Sequence, residues 1–566
     1  MDRLYTGIVS RIYKNILMKI IIFLLYLIFL SKNDFAQDTI TLKDIRSAEK
    51  IISLHFNEAK EDSLLGIVRS RARLYDEMHH SSLDNSIPMT MYQRSQSSYI
   101  RLNKKQLPVK FNIPSGVSLP VNRNELAFYS ITQLASLIKN KKISSVELTQ
   151  FFIDRLKKYG DTLRCVISIT EDIAMQAAKK ADKEIAAGKY RGLLHGIPYG
   201  LKDLFAVHGT KTTWGAKPYE NQVIDNDSYV YTKLREAGAV LIAKLTLGAL
   251  AMNDYWFGGR TKNPWNMLEG SGGSSAGSAA ATVAGLVPFA LGTETYGSIV
   301  SPSTTCGATG LRPTFGSVSR SGAMTLAWSL DKIGPICRSA EDAAIVFYYL
   351  HGTDGKDASA VNMPFNYRNK IDISKMKIAY ARNYFNRKDT LGNENNVLEV
   401  LKKAGAKLIS IDFPDSGVYN FNIMSIVIGA ESAAAFDGFT RSGLDDKMIR
   451  QGRNEWPNSF RASRFIPAVE YINANRHRYL LMQKVNEVIQ KYDVILCPFA
   501  IGNQGAITNL TGHPAVSIPT GFNAKKLPTG ITLIGNLYDE ATLLEVAKVY
   551  QDVTSWDECH PEFFKQ

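Results

Sequence analysis

Cysteine is scarce in this chain, with five in 566 residues: Cys165, Cys306, Cys337, Cys497 and Cys559. They are widely spaced and never form C-x-x-C, which excludes a disulfide framework and a zinc site of the usual spacing. No cofactor or metal set is indicated elsewhere. Long apolar runs are also missing. The longest near the N-terminus, Ile20 to Leu30, has 11 residues, too few to span a bilayer as a helix. The chain has no internal repeat and no long low-complexity tract, so a solenoid is not indicated. Basic clusters are absent as well. The formal charge is +14, but the lysines and arginines are scattered, with pairs such as Lys141-Lys142 and Lys179-Lys180 on amphipathic segments. They read as solvated helix faces, and no nucleic-acid partner is expected.

What is present begins with that short apolar run. Lys14 and Lys19 precede it, Ser31-Lys32-Asn33-Asp34 follow it, and Ala36 offers a small residue for cleavage. This is the form of a signal peptide. The expectation is a segment 1–36 removed on export to the periplasm or medium, leaving no stable membrane anchor, with translation starting at Met18. Residues 37–124 read as an appendage: helical spacing over Leu42 to Met78, then a polar, proline-punctuated stretch from Asp84 to Pro120. No chemistry is apparent in it.

From Ser130 onward helices and strands alternate, as in an α/β domain. Ser144 and Glu147 form a capping box opening a helix to about Tyr159. Val166–Ile169 reads as a strand, Ala174–Ala187 as a helix, and Gly192–Ala206 as a glycine-flanked strand. Further strands are expected at Val240–Lys244, Lys377–Tyr380, Lys407–Ile411, Val494–Cys497 and Ala515–Ile518. A length of 566 residues with 45% hydrophobic content allows one large core or two to three ordinary ones.

The densest signal lies between Glu269 and Pro313. Gly270 to Ser278 is a Gly/Ser loop feeding Ala279-Ala280-Ala281, so it opens a helix where backbone N–H groups are free. An apolar run, Gly285 to Leu291, leads to a second polar loop, Gly292 to Ser298. A phosphate loop would end in Gly-Lys-Ser/Thr, whereas Gly277 is followed by Ser278 and Ala279. Gly273-Ser274-Ser275-Ala276-Gly277 fits the G-x-S-x-G elbow of α/β-hydrolases, which would make Ser275 the nucleophile and require a histidine. Of His351, His477, His513 and His560, only His513 sits in a Gly-bounded loop. The S-x-x-K pattern of β-lactamase-type enzymes occurs at Ser136/Lys139, Ser329/Lys332 and Ser374/Lys377. None of the three has supporting loops.

Three blocks carry a more specific pattern: Gly272 to Ser278, Gly292-Thr293-Glu294-Thr295-Tyr296-Gly297-Ser298-Ile299, and Cys306-Gly307 with Gly310-Leu311-Arg312-Pro313-Thr314. Together with Gly196 to Asp203 upstream, and Asn509 to Ala515 and Leu527 to Gly530 downstream, they resemble the amidase signature family over roughly residues 125–555. The resemblance implies a three-layer α/β/α sandwich on one large mixed sheet, with residues 355–480 shaping the substrate pocket and 556–566 as a tail. It implies Ser298 as nucleophile, Lys202 as base, and Ser274, on a non-proline cis peptide, as proton relay. The backbone N–H groups of Thr295, Tyr296, Gly297 and Ser298 take the oxyanion positions. Two departures stand out. Tyr296 replaces a glycine common in relatives and needs a negative φ to keep the hole open, and Val300 replaces a common arginine.

Independently of the resemblance, a base lysine must be neutral, and burial in an apolar strand favours that form. Leu201 before Lys202 and Leu204 to Val207 after it supply such surroundings. Two functions share this triad: an exported amidase hydrolysing a small carboxamide or peptide amide, and the glutamine-hydrolysing component of a tRNA-dependent amidotransferase. The apparent export signal favours the first, since tRNA charging is cytoplasmic.

Overall fold

Short β-branched and aliphatic runs such as Val240–Leu245 (VLIAKL) and Val494–Pro498 (VILCP) lack the alternation of a half-exposed strand, and both are buried along their whole length. Strands of that kind need cover on both faces of their sheet. In the computed structural model, which describes residues 40–52, 54–80, 105–387, 392–415, 421–499 and 501–566, they lie inside one 11-stranded sheet. Its strands are β1 (Val166–Ile169), β2 (Pro198–Lys202), β3 (Val240–Leu245), β4 (Ala290–Glu294), β5 (Thr309–Arg312), β6 (Lys332–Cys337), β7 (Ile378–Ala381), β8 (Leu408–Ile411), β9 (Val494–Pro498), β10 (Ala515–Phe522) and β11 (Pro528–Gly535). The spatial order is β1-β3-β2-β4-β6-β5-β10-β11-β9-β7-β8. Pairing is mixed: β2 runs parallel to β3 and β4, whereas β6 is antiparallel to β4 and β5. Helices pack on it, among them Ala276–Val283, Val300–Cys306, Ala340–Leu350 and Glu540–Asp552. The class is α/β, as the sequence indicates.

Several expected boundaries shift for local reasons. The helix capped by Ser144 runs on to Leu163 and stops at Arg164, whose φ of +50° closes it. The strand expected over Gly192–Ala206 shrinks to Pro198–Lys202, because Gly192 and Gly196 adopt φ values of +127° and +81° and turn the chain. Strands β5, β6 and β11 went unrecognised in the sequence. β5 and β11 overlap the blocks Gly310–Thr314 and Leu527–Gly530, where glycine and proline signal turns, and β6 is interrupted by Gly334 and Pro335.

The chain divides into two compact units, residues 1–72 and 73–566. In the first, the helix Leu42–Ile51 has a Thr41/Asp44 capping box, and Arg46 meets Glu61 at 2.8 Å on the next helix, Glu58–His79, which runs past the division. Residues 105–124 belong to the second unit. There the Leu107 N–H donates to Asn366 and the Asn369 amide donates to the Lys110 carbonyl. The apolar run Ile20–Leu30 and the cleavage position after Ala36 lie outside the described residues. Among the described residues no helix is long and apolar enough to cross a membrane.

Two buried lysines lie on the neighbouring strands β2 and β3, in the register Leu201↔Lys244 and Lys202↔Leu245. Lys244 Nζ meets Asp203 Oδ1 at 2.7 Å with both side chains fully buried, and it also donates to the Lys211 carbonyl and Thr212 Oγ1. The other carboxylate oxygen, Asp203 Oδ2, accepts from the N–H and hydroxyl of Thr213. The pair therefore fixes the end of β2 just beyond Lys202. Removing one member strands a buried charge, which costs ~3–5 kcal/mol. Lys244→Ala should lower stability by that amount in urea unfolding, and a loss below about 1 kcal/mol would show that the pair does not anchor the strand.

Candidate active site

Strand β2 carries the Lys202 side chain into a fully buried position, where its amine faces hydroxyls. Nζ lies 2.8 Å from Ser274 Oγ, 3.0 Å from Ser275 Oγ and 2.8 Å from Thr293 Oγ1, with the Thr293 carbonyl at 3.4 Å. Among the described residues no carboxylate pairs with it, because Asp203, its neighbour in sequence, is taken by Lys244 and Thr213. Burial pushes its pKa down to about 7, and the more distant charges of Asp331 and Glu294 only partly oppose this.

The Gly273–Ser274 peptide is cis, as the resemblance implies. A Cβ on Gly273 would stand 1.8 Å from the Asn253 carbonyl oxygen, so only glycine fits. The facing segment is itself unusual: Leu250, Ala251 and Asn253 all have positive φ, a concentration of backbone strain typical of functional sites. The Gly248 N–H donates to the Ser274 carbonyl at 3.3 Å, joining the two segments.

Ser275 is fully buried and saturated. Its hydroxyl donates to the Thr293 carbonyl at 3.1 Å, accepts from the Thr293 N–H at 3.2 Å, and touches Lys202. No histidine approaches it among the described residues. His513, which the elbow pattern requires, is buried against Thr511 Oγ1 at 2.7 Å, and burial with the Arg312 charge holds its pKa at about 3. The elbow reading thus finds no partner.

Ser298 lies in the loop after β4, 9% exposed. Its carbonyl accepts the Ser275 N–H at 3.1 Å, so the two serine loops are tied by their backbones. Its hydroxyl has no hydrogen bond to Ser274 or any other group among the described residues, and the backbone N–H groups of Tyr296, Gly297 and Ser298 likewise have no protein acceptor. Tyr296 is half-exposed and absent from the left-handed region, which meets the condition set by its bulk. Gly297 has φ +88° with open space around it, so this glycine is required by conformation rather than by crowding.

Buried charge holds the loop from below. Glu294 Oε2 accepts the N–H groups of Ile299 and Val300 at 2.9 and 3.0 Å, and Oε1 accepts from Arg312 and Asn509, both at 2.9 Å. Burial alone would raise this carboxyl's pKa; Arg312, then Lys332 and the hydrogen bonds, bring it to about 2. Val300 thus contributes its backbone to the Glu294 clamp, and its side chain is buried. Thr295 Oγ1 donates to Asp331 at 2.6 Å, and Ala251, Thr293 and Thr295 line a small cavity with Asp331 and Lys332. Sequence reasoning assigned no role to Thr293, Glu294, Arg312, Asp331 or Asn509. A charged residue beside an apolar strand end marks Glu294, but nothing in the spacing links Asp331 or Asn509 to the serine loops.

With this geometry in view, the comparisons with known proteins are decisive about ancestry. A family profile described as Amidase matches residues 147–544. The chain belongs to the amidase family. A glutamyl-tRNA(Gln) amidotransferase component from Coxiella burnetii is 35% identical over 479 residues, covering 76% of this chain and 99% of that protein. The crystal structure of the native peptide amidase from Stenotrophomonas maltophilia is similar with a TM-score of 0.67 at 25% identity, over 76% of this chain and 97% of that one. An amidase family protein from Bacillus anthracis matches with a TM-score of 0.70 at 25% identity, over 77% and 93%. The protein is accordingly an amidase-signature hydrolase acting on amides, with the amidase signature fold.

The close approach at Gly273 yields a test. Gly273→Ala forces Asn253 or the serine turn to move, and overpacking of this kind costs ~1–3 kcal/mol at the point where a small displacement matters most. The amidase should lose at least about tenfold in kcat/KM while far-UV circular dichroism stays unchanged. Activity within twofold of the parent would show that the contact is not needed.

Proposed function

We propose that this amidase is an exported, stand-alone hydrolase that cleaves a small carboxamide or peptide amide through a serine acyl-enzyme. The observation carrying the acyl-enzyme chemistry is the buried Lys202 amine, without an ion partner among the described residues, 2.8 Å from Ser274 and with its pKa lowered to about 7. At that value a large fraction is neutral at physiological pH and able to accept a proton. The stand-alone, exported part of the reading rests on the Lys19–Ala36 sequence pattern.

In this reading Ser298 Oγ attacks the amide carbon while its proton passes to Ser274 Oγ, whose own proton moves to Lys202 Nζ. The tetrahedral oxyanion is held by the unpartnered N–H groups of the 296–298 loop, which extends to Thr295 at its start. Collapse breaks the C–N bond, and the proton returns through Ser274 to the leaving nitrogen, releasing ammonia or an amine. Water then attacks the ester along the same route and frees the acid. The Ser274–Ser298 hydrogen bond this path needs would form as substrate seats, as catalytic hydrogen bonds commonly tighten only in the complex. Ser275 and Thr293 orient the amine.

The second reading, the glutamine-hydrolysing component of an amidotransferase, is favoured by the 35% identity to the Coxiella protein over nearly that protein's full length. Against it stands the Lys19–Ala36 signal pattern. N-terminal sequencing of native protein separates the two: a mature start near Gln37 supports export, and an intact Met1 or Met18 supports the amidotransferase reading.

Two outcomes follow. The purified chain alone, without tRNA, ATP or partners, should release ammonia or amine from members of an amide and peptide-amide panel. Because Lys202 must lose a proton to act, kcat/KM should rise with pH through about 7 and then level off. Turnover only on adding partner proteins would give the transferase reading. Separately, a fluorophosphonate should label Ser298, and Lys202→Ala should cost ~10²–10⁴-fold in kcat/KM. Adding that change to Ser298→Ala should cost little more, since the residues act as a unit. Label on Ser275, or near-normal turnover by Ser298→Ala, would overturn the assignment.

A further inference from the structure

The loop that carries Tyr296, Gly297 and Ser298 is held at its far end by Glu294, whose carboxylate takes the N–H groups of Ile299 and Val300. One fixed end does not set a loop, least of all with Gly297 at φ +88° and open space around it. The near end has its own fastening. Strands β4 and β6 pair antiparallel from Ala290↔Ile336 to Glu294↔Lys332, and the next position in that register sets Thr295 opposite Asp331. There a side-chain bond takes over from the ladder: the Thr295 hydroxyl, on a residue 6% exposed, donates to Asp331 Oδ1 at 2.6 Å.

Asp331 is itself pinned. Its Oδ2 accepts the N–H groups of Leu326 and Ala327 at 2.8 and 3.0 Å, and its own N–H donates to the Ala327 carbonyl at 3.0 Å. Its carboxylate therefore meets one hydroxyl and two backbone N–H groups, and hydrogen bonds of this charge-assisted kind are the strong ones. We propose that Asp331 is a positioning residue of the amide hydrolysis, fixing the start of the oxyanion loop through Thr295. The inference rests on the assignment of Ser298 and its loop made above. It is independent of export and of partners, because both functional readings use the same loop.

A second effect separates this role from a purely structural one. The charge of Asp331, ahead of that of Glu294, opposes loss of the proton from Lys202. Other charges around the two residues are paired: Glu294 with Arg312, Asp203 with Lys244, and Arg320 with Asp357. Lys332, next along β6, donates to the Leu330 carbonyl, and burial holds its pKa far below the usual amine value. Glu431 and Arg478 both bind Ser329. Removing the Asp331 charge thus favours the neutral Lys202 amine at lower pH.

Steady-state kinetics of the full chain across pH, on the amide that the parent turns over fastest, tests this. Asp331→Asn should lower kcat/KM on its high-pH plateau at least about tenfold. The loss should fall mainly in kcat, since oxyanion contacts are made in the transition state, and the inflection should move from about 7 to lower pH. Thr295→Val removes the hydroxyl and leaves the charge, so it should show a similar loss in kcat with the inflection unmoved. Thr295→Ser should recover most of that loss. Parental turnover by Thr295→Val, no recovery in Thr295→Ser, or an inflection that stays or rises in Asp331→Asn would each overturn the proposal. Should Asp331→Asn fail to fold, the two Thr295 variants decide alone. Fluorophosphonate labelling of the parent keeps the two levels apart: label on Ser298 with undiminished turnover by Thr295→Val overturns this inference only, whereas label elsewhere overturns the Ser298 assignment beneath it.

Discussion

A buried lysine amine without a carboxylate partner is the constraint on which the rest of this active site depends. Lys202 and Lys244 sit one register position apart on adjacent strands, both sealed from water, yet of the two only Lys244 has an ion partner among the described residues. Asp203 directly follows Lys202 in sequence, and had it turned to that amine, the pair would have locked the lysine in its charged form. Instead Thr213 and Lys244 fix the carboxylate elsewhere, leaving Lys202 among three hydroxyls, a carbonyl and apolar strand. Burial then works unopposed by any contact charge, which brings the amine toward neutrality.

The serine loops are organised by the complementary device. Where the lysine lacks a charged partner, Glu294 has an excess of donors: two backbone N–H groups, a guanidinium and an amide. A buried carboxylate satisfied in this way is rigid, and its position below Ser298 holds Ile299 and Val300 so that the preceding N–H groups stay unpaired. The loop is thus fixed from below by charge and left open above. Preorganised donors of this type act without rearranging during reaction. The left-handed residues at 250, 251 and 253, with Gly273 pressed against the Asn253 carbonyl, hold the other serine loop from the side.

Much of this was legible in the sequence because the signal is local and dense. The order of Gly/Ser loop, alanine-rich helix, apolar strand and second polar loop is written within 45 consecutive residues, and the structure reproduces it as the Ala276–Val283 helix, β4 and the Ser298 loop. The apolar neighbours of Lys202 likewise announced its burial. Less legible were β5, β6 and β11. Glycine punctuates all three, with proline also in β6 and β11, and in sequence those residues signal turns. Burial between helices and neighbouring strands outweighs that local preference, because a ladder paired on both sides compensates for what a Gly or Pro costs.

Sequence alone determined the family pattern, the α/β alternation, and which hydroxyls and amine are available for chemistry. The family resemblance chose Ser298 over Ser275, but local pattern alone could not, since both lie in glycine-rich loops and Ser275 fits the G-x-S-x-G elbow. Tertiary structure separated their surroundings: Ser275 is saturated by Thr293 and Lys202 and has no histidine contact among the described residues, whereas Ser298 stands beside unpaired N–H groups. The groups that hold the Ser298 loop through Thr295 and Glu294, namely Asp331, Arg312 and Asn509, lie 33, 14 and 211 residues from Ser298 along the chain. Only folding brings such groups together, because hydrogen bonds and burial act over a few ångströms of space and leave no periodic trace in the order of residues.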